Sequence, residues 1–512
     1  MTCARGCQNP SMQRITPDRR RPLFDVAATR RLEQATASTL PAHALMQKAG
    51  LAVAQLALAL VPHAQRIWIA CGPGNNGGDG LEAAMHLQSW GKQAIVTWMG
   101  DESQAPADAL AALRRARQAG VTIGETLPLQ FDLAIDALLG LGSSRAVQGP
   151  MAQWIVHMNA GSAPVLAVDL PSGLNAETGT GIAVRATHTL SLLTLKPGLF
   201  TAHGRDASGE IWFDDLGANW CDTTDREPTA WLGVDSLPRV RLHASHKGSY
   251  GDVAVIGGAP GMTGAALLAA AAALYSGAGR VLVGLLDAAS LGVDSAQPEL
   301  MLRPWDALDL AAMSVACGCG GGEAVRSVLP RVLATARALV LDADALNAIA
   351  GDPQLQAQLT ARAGRSGRAT VITPHPLEAA RLLACSSAEV QADRLAAAGE
   401  LADRYRCVAL LKGSGSITAQ PGRLPVINFI GNARLATAGT GDVLAGMIAA
   451  RLAQGEPAFD AASQATHIHG RTADCWPADQ PLTALRLAAR SGGIGAGLIK
   501  SAKHFEAKET PQ

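Results

Sequence analysis

The sequence predicts an α/β protein of two domains, the first built on a doubly wound parallel sheet. Three observations predict it. At 512 residues the chain is too long for one hydrophobic core. Short apolar runs alternate with helical periods along most of its length. Those runs end repeatedly in Gly-rich loops or a lone Asp, the places where an open α/β sheet binds ligands.

Composition limits the function classes. With 48% hydrophobic and 17% charged residues the chain is globular. Lys+Arg and Asp+Glu both number 43, so no nucleic acid or membrane is expected as main partner. The nine cysteines are odd in number and scattered, which implies a reducing compartment without a disulfide framework. Cys3 and Cys7 have metal-like spacing, but no His or Cys pair follows to complete a zinc site. Cys317 and Cys319 read as packing residues. The first 24 residues lack the apolar core of a secretory signal. Runs such as 51–60 are too short to span a bilayer. A cytoplasmic protein is expected, with residues 1–23 a flexible tail, a first domain at 24–225, a linker at 226–238 and a second domain at 239–505.

In the first domain, 30–60 reads as helical and 66–71 as a strand. Gly72-Pro73-Gly74-Asn75-Asn76-Gly77-Gly78-Asp79-Gly80 follows, then a helix at 81–90. Strand, glycine loop and helix make the unit that sets phosphate on backbone amides. The asparagine carbonyls suit a monovalent cation or a ribose. A tight structural turn is the plainer alternative. Strands at 94–98, 131–136 and 165–169 come next, with a helix within 105–119. Asp136 and Asp169 close two of these strands and should converge near Asn75 and Asn76, unless each only caps a helix. A further strand at 187–197 and an edge strand at 209–217 complete the domain.

In the second domain, strands are expected at 252–256, 281–285, 313–316, 338–341, 370–373 and 408–411, and all but that at 281–285 carry unusual residues at their carboxyl ends. These are the loops after Gly257, Cys317, Asp342 with Asp344, His375 between two prolines, and Lys412-Gly413-Ser414-Gly415-Ser416. Singly each has a bland reading as a cap, turn or solvated end. Together with Gly439-Thr440-Gly441-Asp442 they supply a phosphate loop, a cation and carboxylates. That set suits phosphoryl transfer, which needs positioning and charge neutralisation. Gly439 and Gly441 can take angles other residues avoid and expose an anion cradle. A helix start should keep Asp442 ionised rather than raise its pKa.

The first half resembles the YjeF N-terminal-type epimerase domain, through LMQKAG (45–50), GPGNNGGDG (72–80), DALLGLG (136–142) with Arg145, and DLPSGL (169–174). The second half resembles the carbohydrate-kinase-like dehydratase domain, through HKGSYG (246–251), LDADALN (341–347), TPHPLEAARLL (373–383), KGSGS (412–416) and GTGD (439–442). The fused order is similar to the bifunctional NAD(P)H-hydrate repair family. That resemblance implies a Rossmann-like first domain and a ribokinase-like α/β/α second domain. It implies an epimerase that interconverts R and S hydrates, and a dehydratase that restores NAD(P)H at the expense of ADP, or ATP in some relatives.

It also implies site residues. Potassium would be held by Asn76, Asp136 and Ser172. The hydrate would meet Asn75, Asn76, Gly77, Gly78, Asp79, Gly140, Leu141, Gly142, Ser143, Ser144, Arg145, Ala146 and Asp169, with Asp169 the acid/base. In the second domain Ala265, Gly320, His375 and Asp442 would contact the hydrate. Lys412, Gly413, Ser414, Gly415, Ser416 and Gly441 would contact nucleotide and Asp442 would be the base, with Mg2+ arriving with ADP. A homo-oligomer is expected. Three residues depart from the family pattern. Cys319 stands where a proline is usual, which should free that loop; Arg434 replaces a small residue and puts a long cation near the nucleotide; Leu139 replaces an aromatic. Two rival readings remain at this point: a small-molecule kinase with a stable phosphorylated product, and a first half that serves only as a binding or oligomerisation module.

Overall fold

The structure, a computed structural model, describes residues 12–142, 147–218, 227–234, 243–287, 292–365 and 367–492. Cys3 and Cys7 lie outside the described residues. The chain divides into two compact units. Described residues through Ala230 form the first, save Pro17–Arg20, which group with Trp231 onward in the second.

The first unit holds an eight-stranded sheet in the spatial order Met12–Arg14, Glu210–Asp214, His188–Leu192, Val165–Val168, Leu133–Ala137, Arg66–Cys71, Gln93–Trp98, Thr122–Gly124. All neighbours are parallel except the first pair. Helices Ala44–Leu60, Asn75–Ser89 and Ala107–Gln118 bury their small and aliphatic residues on one face. Helix Gly149–Ala160 packs Trp154, Ile155 and Met158 on the other, around Trp68. Covered on both faces, the strands read as continuous apolar runs.

Two expectations about this unit fail at its edge. Residues 12–23 do not all belong to a tail: Met12–Arg14 pairs antiparallel with Glu210–Asp214. An Arg14–Glu210 ion pair and the Ile15 N–H to Ile211 carbonyl bond of 2.8 Å hold it there. Glu210–Asp214 is therefore an inner strand, not the edge. The expected helix over 30–60 is also two helices, Val26–Ser38 and Ala44–Leu60. Asp25 caps the first by accepting from the Ala28 N–H at 2.7 Å.

In the second unit the strands run Met301–Leu302, Arg280–Leu285, Asp252–Gly257, Ser314–Cys317, Ala338–Leu341, Ala369–Ile372, Val408–Leu411, Ser416–Gln420, Arg423–Asn428. All are parallel as far as Val408–Leu411; the last two form an antiparallel hairpin. The hairpin was hidden in the sequence because the glycines of 413–415 read as loop. Helices Thr263–Tyr275, Thr440–Ala453 and Ala458–Asp474 fill one layer with alanine and aliphatic side chains. An ideal Cβ on Gly446 would lie 2.0 Å from the Ala269 carbonyl oxygen, so only glycine lets the first two of these helices meet. That contact seats the start of helix Thr440–Ala453 over the sheet's carboxyl edge.

Candidate functional sites

In the first unit the sheet's carboxyl edge opens into a cleft of about 630 Å³. The glycine run after strand Arg66–Cys71 is not a long loop. Helix Asn75–Ser89 begins inside it, six residues earlier than the sequence suggested. The glycines exist for packing: a Cβ on Gly77 would sit 2.0 Å from the Gly72 carbonyl, and one on Gly78 2.5 Å from Met46. Gly77 and Gly78 are accordingly buried, and of this motif Pro73, Gly74, Asn75, Asn76 and Asp79 line the cleft. Gly140, Leu141, Gly142 and Asp169 line it from the neighbouring strand ends. Ser143, Ser144, Arg145 and Ala146 lie outside the described residues.

Asp136 and Ser172 meet beneath that cleft. The wholly buried Asp136 carboxylate accepts from the Ser172 hydroxyl at 2.6 Å, the Ser172 N–H at 2.8 Å and the Leu138 N–H at 3.3 Å. Burial outweighs those bonds and raises Asp136 to about 6. Ser172 also accepts from the Leu139 N–H at 2.8 Å, so Leu139 acts through its backbone. Asn76 lies beside the next residue: its Oδ1 would be 3.1 Å from a Cβ on Gly140, and its Nδ2 is buried without a partner.

Asp169 adopts a left-handed backbone at φ 67°, unusual for a non-glycine. Its Oδ1 accepts from the Leu192 N–H at 3.1 Å and from Lys196 Nζ. Lys196 is fully buried. Sequence reading missed it by placing 187–197 in one strand; the strand ends at Leu192, and Leu193 turns the chain back at φ 62°. A lone Lys in the apolar stretch Leu190–Phe200 was the available signal. Glu33 was missed too; it lines the same cleft, with its pKa raised by burial and then by Asp169. Asp79 faces the same cleft, its pKa raised well above its ordinary value by burial and then by the charges of Asp169 and Glu33.

In the second unit Gly439 caps helix Thr440–Ala453 with φ 89°, and Asp442 occupies its first turn. Ligand atoms of Cys319, Asp342 and Asp442 lie within 4.8 Å of one another. The expectation that Asp442 keeps an ordinary pKa is overturned. Burial, then the charge of Asp342, raise it to about 6, more than a helix start offsets. Lys412 Nζ donates to Asp342 Oδ1 at 2.6 Å and lies 4.0 Å from Glu378. Burial works against its ammonium, but Asp342 and Glu378 prevail and raise its pKa. Gly441 closes over this pair: a Cβ there would sit 3.5 Å from Lys412 Nζ.

The loop after Lys412 is held from below by Arg394, a residue the sequence did not single out. Its guanidinium donates to the carbonyls of Lys412 at 3.2 Å and Gly415 at 3.4 Å. Ser416 Oγ donates to the Gly413 carbonyl at 3.2 Å and closes the loop on itself. The loop around Cys319 is not freed by the missing proline. The carbonyls of Cys319 and Gly320 accept from Gly258 and Ala259 at 3.0 and 2.7 Å, and the Gly322 N–H donates to Asp344 at 2.9 Å. Gly320 abuts Ala265: a Cβ on Gly320 would meet that of Ala265 at 2.9 Å. Cys319 packs in the core as expected, with its thiol beside Asp442. His375 is a rigid cap. Its Nδ1 accepts from Leu377 and Glu378 N–H while Glu378 accepts from the His375 N–H at 2.8 Å. Arg434 points to the carbonyls of Trp476 and Ala478, at 3.2 and 3.4 Å.

Comparison with known proteins gives matches in both units. Residues 42–198 match the family model described as YjeF-related protein N-terminus, and 253–491 the model described as NAD(P)H-hydrate dehydratase. The chain is 38% identical over 462 residues to the bifunctional NAD(P)H-hydrate repair enzyme Nnr of Escherichia coli K12, covering 86% of this chain and 87% of that one. It is 36% identical over 470 residues to the enzyme of the same name from Coxiella burnetii, covering 88% and 94%. Among solved structures, the ADP/ATP-dependent NAD(P)H-hydrate dehydratase of Bacillus subtilis, co-crystallised with ATP/Mg2+, is 29% identical with a TM-score of 0.42, covering 51% of this chain and 94% of that one.

Proposed function

The chain belongs to the bifunctional NAD(P)H-hydrate repair family, and from that membership we infer how its two units divide the work. The first unit is an NAD(P)H-hydrate epimerase. The second is an ADP-dependent dehydratase of the S hydrate. Asp442 carries the reading of the second: a buried carboxylate at a glycine-capped helix start, beside a Lys–Asp pair.

The dehydration proceeds in two bond changes. Asp442 takes the proton of the ring hydroxyl as its oxygen attacks the terminal phosphoryl group of ADP, and AMP leaves. The C–O bond to phosphate then breaks, the adjacent ring carbon gives up its proton to phosphate or water, and the C–H electron pair reforms the ring double bond, which gives NAD(P)H. Amides at Gly439–Gly441 hold the phosphoryl charge, and the loop from Lys412 to Ser416 receives the nucleotide. Ala265, Gly320 and His375 border the hydrate. Magnesium would ride on the nucleotide phosphates. Two carboxylates and a thiol do not make the all-oxygen cage it prefers.

In the first unit we place the hydrate among Asn75, Asn76, Asp79, Gly140, Leu141, Gly142 and Asp169, with Asp169 the acid/base. Gly77 and Gly78 shape the helix start that presents these residues, and family membership adds Ser143, Ser144, Arg145 and Ala146 to the hydrate contacts. Potassium fits Asn76, Asp136 and Ser172. The donors are hard oxygens, Asn76 has an unsatisfied buried amide whose orientation a cation would set, and among the described residues no cationic side chain contacts the buried Asp136. When bound, the ion would neutralise Asp136 and fix the loop at 138–142.

Purified protein given mixed NADH hydrates, ADP and magnesium should restore absorbance at the reduced-nicotinamide band. Accumulation of a stable phosphorylated hydrate, with no absorbance gained, would instead favour a simple kinase.

A further inference from the structure

We propose that Lys196 is a positioning residue for epimerisation: it fixes Asp169 through Oδ1 and leaves Oδ2 to the hydrate. The inference rests on the epimerase reading of the first unit. All three ammonium protons of Lys196 are directed into the protein. They go to Asp169 Oδ1, the Leu192 carbonyl at 2.8 Å and Ser191 Oγ at 3.4 Å. None remains for a substrate, so Lys196 does not act as the proton donor itself. Asp169 Oδ1 is saturated in turn by Lys196 and the Leu192 N–H. No hydrogen bond reaches Oδ2 among the described residues, and Asp169 lines the cleft.

The backbone is bent to make this arrangement. Asp169 sits at φ 67° and Leu193 at φ 62°, both non-glycine residues in the left-handed region. The Thr194 N–H bonds the Leu192 carbonyl at 2.6 Å, and this tight turn carries Lys196 back under Asp169. A largely buried ion pair adds little net stability compared with apolar residues of the same volume. Strain and a buried ammonium together therefore point to function rather than packing. The pair also sits in an acidic setting. Glu33 and Asp79 line the same cleft, and Lys196 is the cation closest to Asp169 among the described residues.

The test uses the full chain, pure R hydrate of NADH and no ADP, with S hydrate followed by chromatography. In Lys196→Met, kcat should fall about 100-fold with KM within about threefold, because the lysine stands behind the base and not against the substrate. Lys196→Arg should recover at least about tenfold of that loss. ADP-dependent conversion of S hydrate by the second unit gives the amount of active chain in each sample. An unimpaired Lys196→Met overturns the proposal, as do Met and Arg variants equally impaired with KM rising alongside. If Lys196→Met does not fold, Lys196→Arg decides. A rate within about tenfold of wild type sustains the proposal, and a loss beyond about 100-fold at unchanged melting temperature overturns it. A wild-type chain that leaves R hydrate untouched would instead refute the epimerase reading itself.

Discussion

Lys412 Nζ and Asp342 Oδ1 are 2.6 Å apart at the carboxyl edge of the second sheet, with both side chains largely buried. The cation expected to meet phosphate is thus already paired, and its net contribution to a nucleotide site is that of an oriented dipole rather than a bare charge. Each partner makes the other tolerable. Lys412→Met leaves Asp342 buried without its counterion, which should cost about 3–5 kcal/mol of unfolding free energy. Lys412→Met with Asp342→Asn should recover most of that loss, yet leave ADP-dependent dehydration impaired. Denaturant titration of the three proteins checks the first statement and an absorbance assay the second.

With Asp442 as the proposed base, dehydration should have a definite pH dependence. A base must be ionised, and burial with Asp342 nearby raises this one to about 6. The rate should be level above that value and fall about tenfold per pH unit below it. Cys319 lies on the same carboxyl group and lowers its pKa, against the larger effect of burial. Cys319→Ala should therefore move the acid limb to higher pH. A pH–rate profile at saturating ADP reads both, and a limb unmoved by the substitution would remove Cys319 from the account.

The parts of this molecule that were legible in the sequence were those set by local pattern. The strands Ala338–Leu341 and Val408–Leu411 fall where apolar runs put them, and Asp169 meets Asn75 and Asn76 at one cleft because parallel strands share a carboxyl edge, with Asp136 buried beneath it. What was hidden depends on contacts distant in sequence. The pairing of Met12–Arg14 with Glu210–Asp214 spans almost the whole first unit. Lys196 under Asp169 requires a left-handed turn that no residue type announces. The raised pKa of Asp442 comes from burial and from Asp342, a hundred residues upstream. GPGNNGGDG misled for a further reason: glycine usually argues against a helix, but here its lack of a side chain lets the helix start press on Gly72.

Potassium binding should show itself as stability. If Asn76, Asp136 and Ser172 hold the ion, adding KCl in place of an equal concentration of choline chloride should raise the melting temperature of the first unit, by linkage to the folded state alone. Ser172→Ala removes one donor and the bond that orients Asp136, so the potassium-dependent shift should shrink or vanish. Calorimetry in the two salts provides the comparison; the same shift in wild type and variant would mean the ion acts elsewhere.

Asp79 offers the opposite sign of pH dependence from a paired surface carboxylate. Its pKa is raised in the fold by burial, then by the charges of Asp169, Glu33, Glu82 and Asp108. A group raised in this way favours the folded state fully below its unfolded value of about 3.9. That contribution is lost progressively as pH rises from there toward the folded value. Asp79→Asn keeps the shape of the neutral acid but has no proton to lose. The variant should therefore match wild type in unfolding free energy near pH 4 and exceed it at pH 8, while epimerisation slows if the acid proton is used. Chemical denaturation at the two pH values measures the difference. An Asn variant less stable than wild type at pH 8 would show that Asp79 is held ionised, by a bound cation or by the hydrate loop.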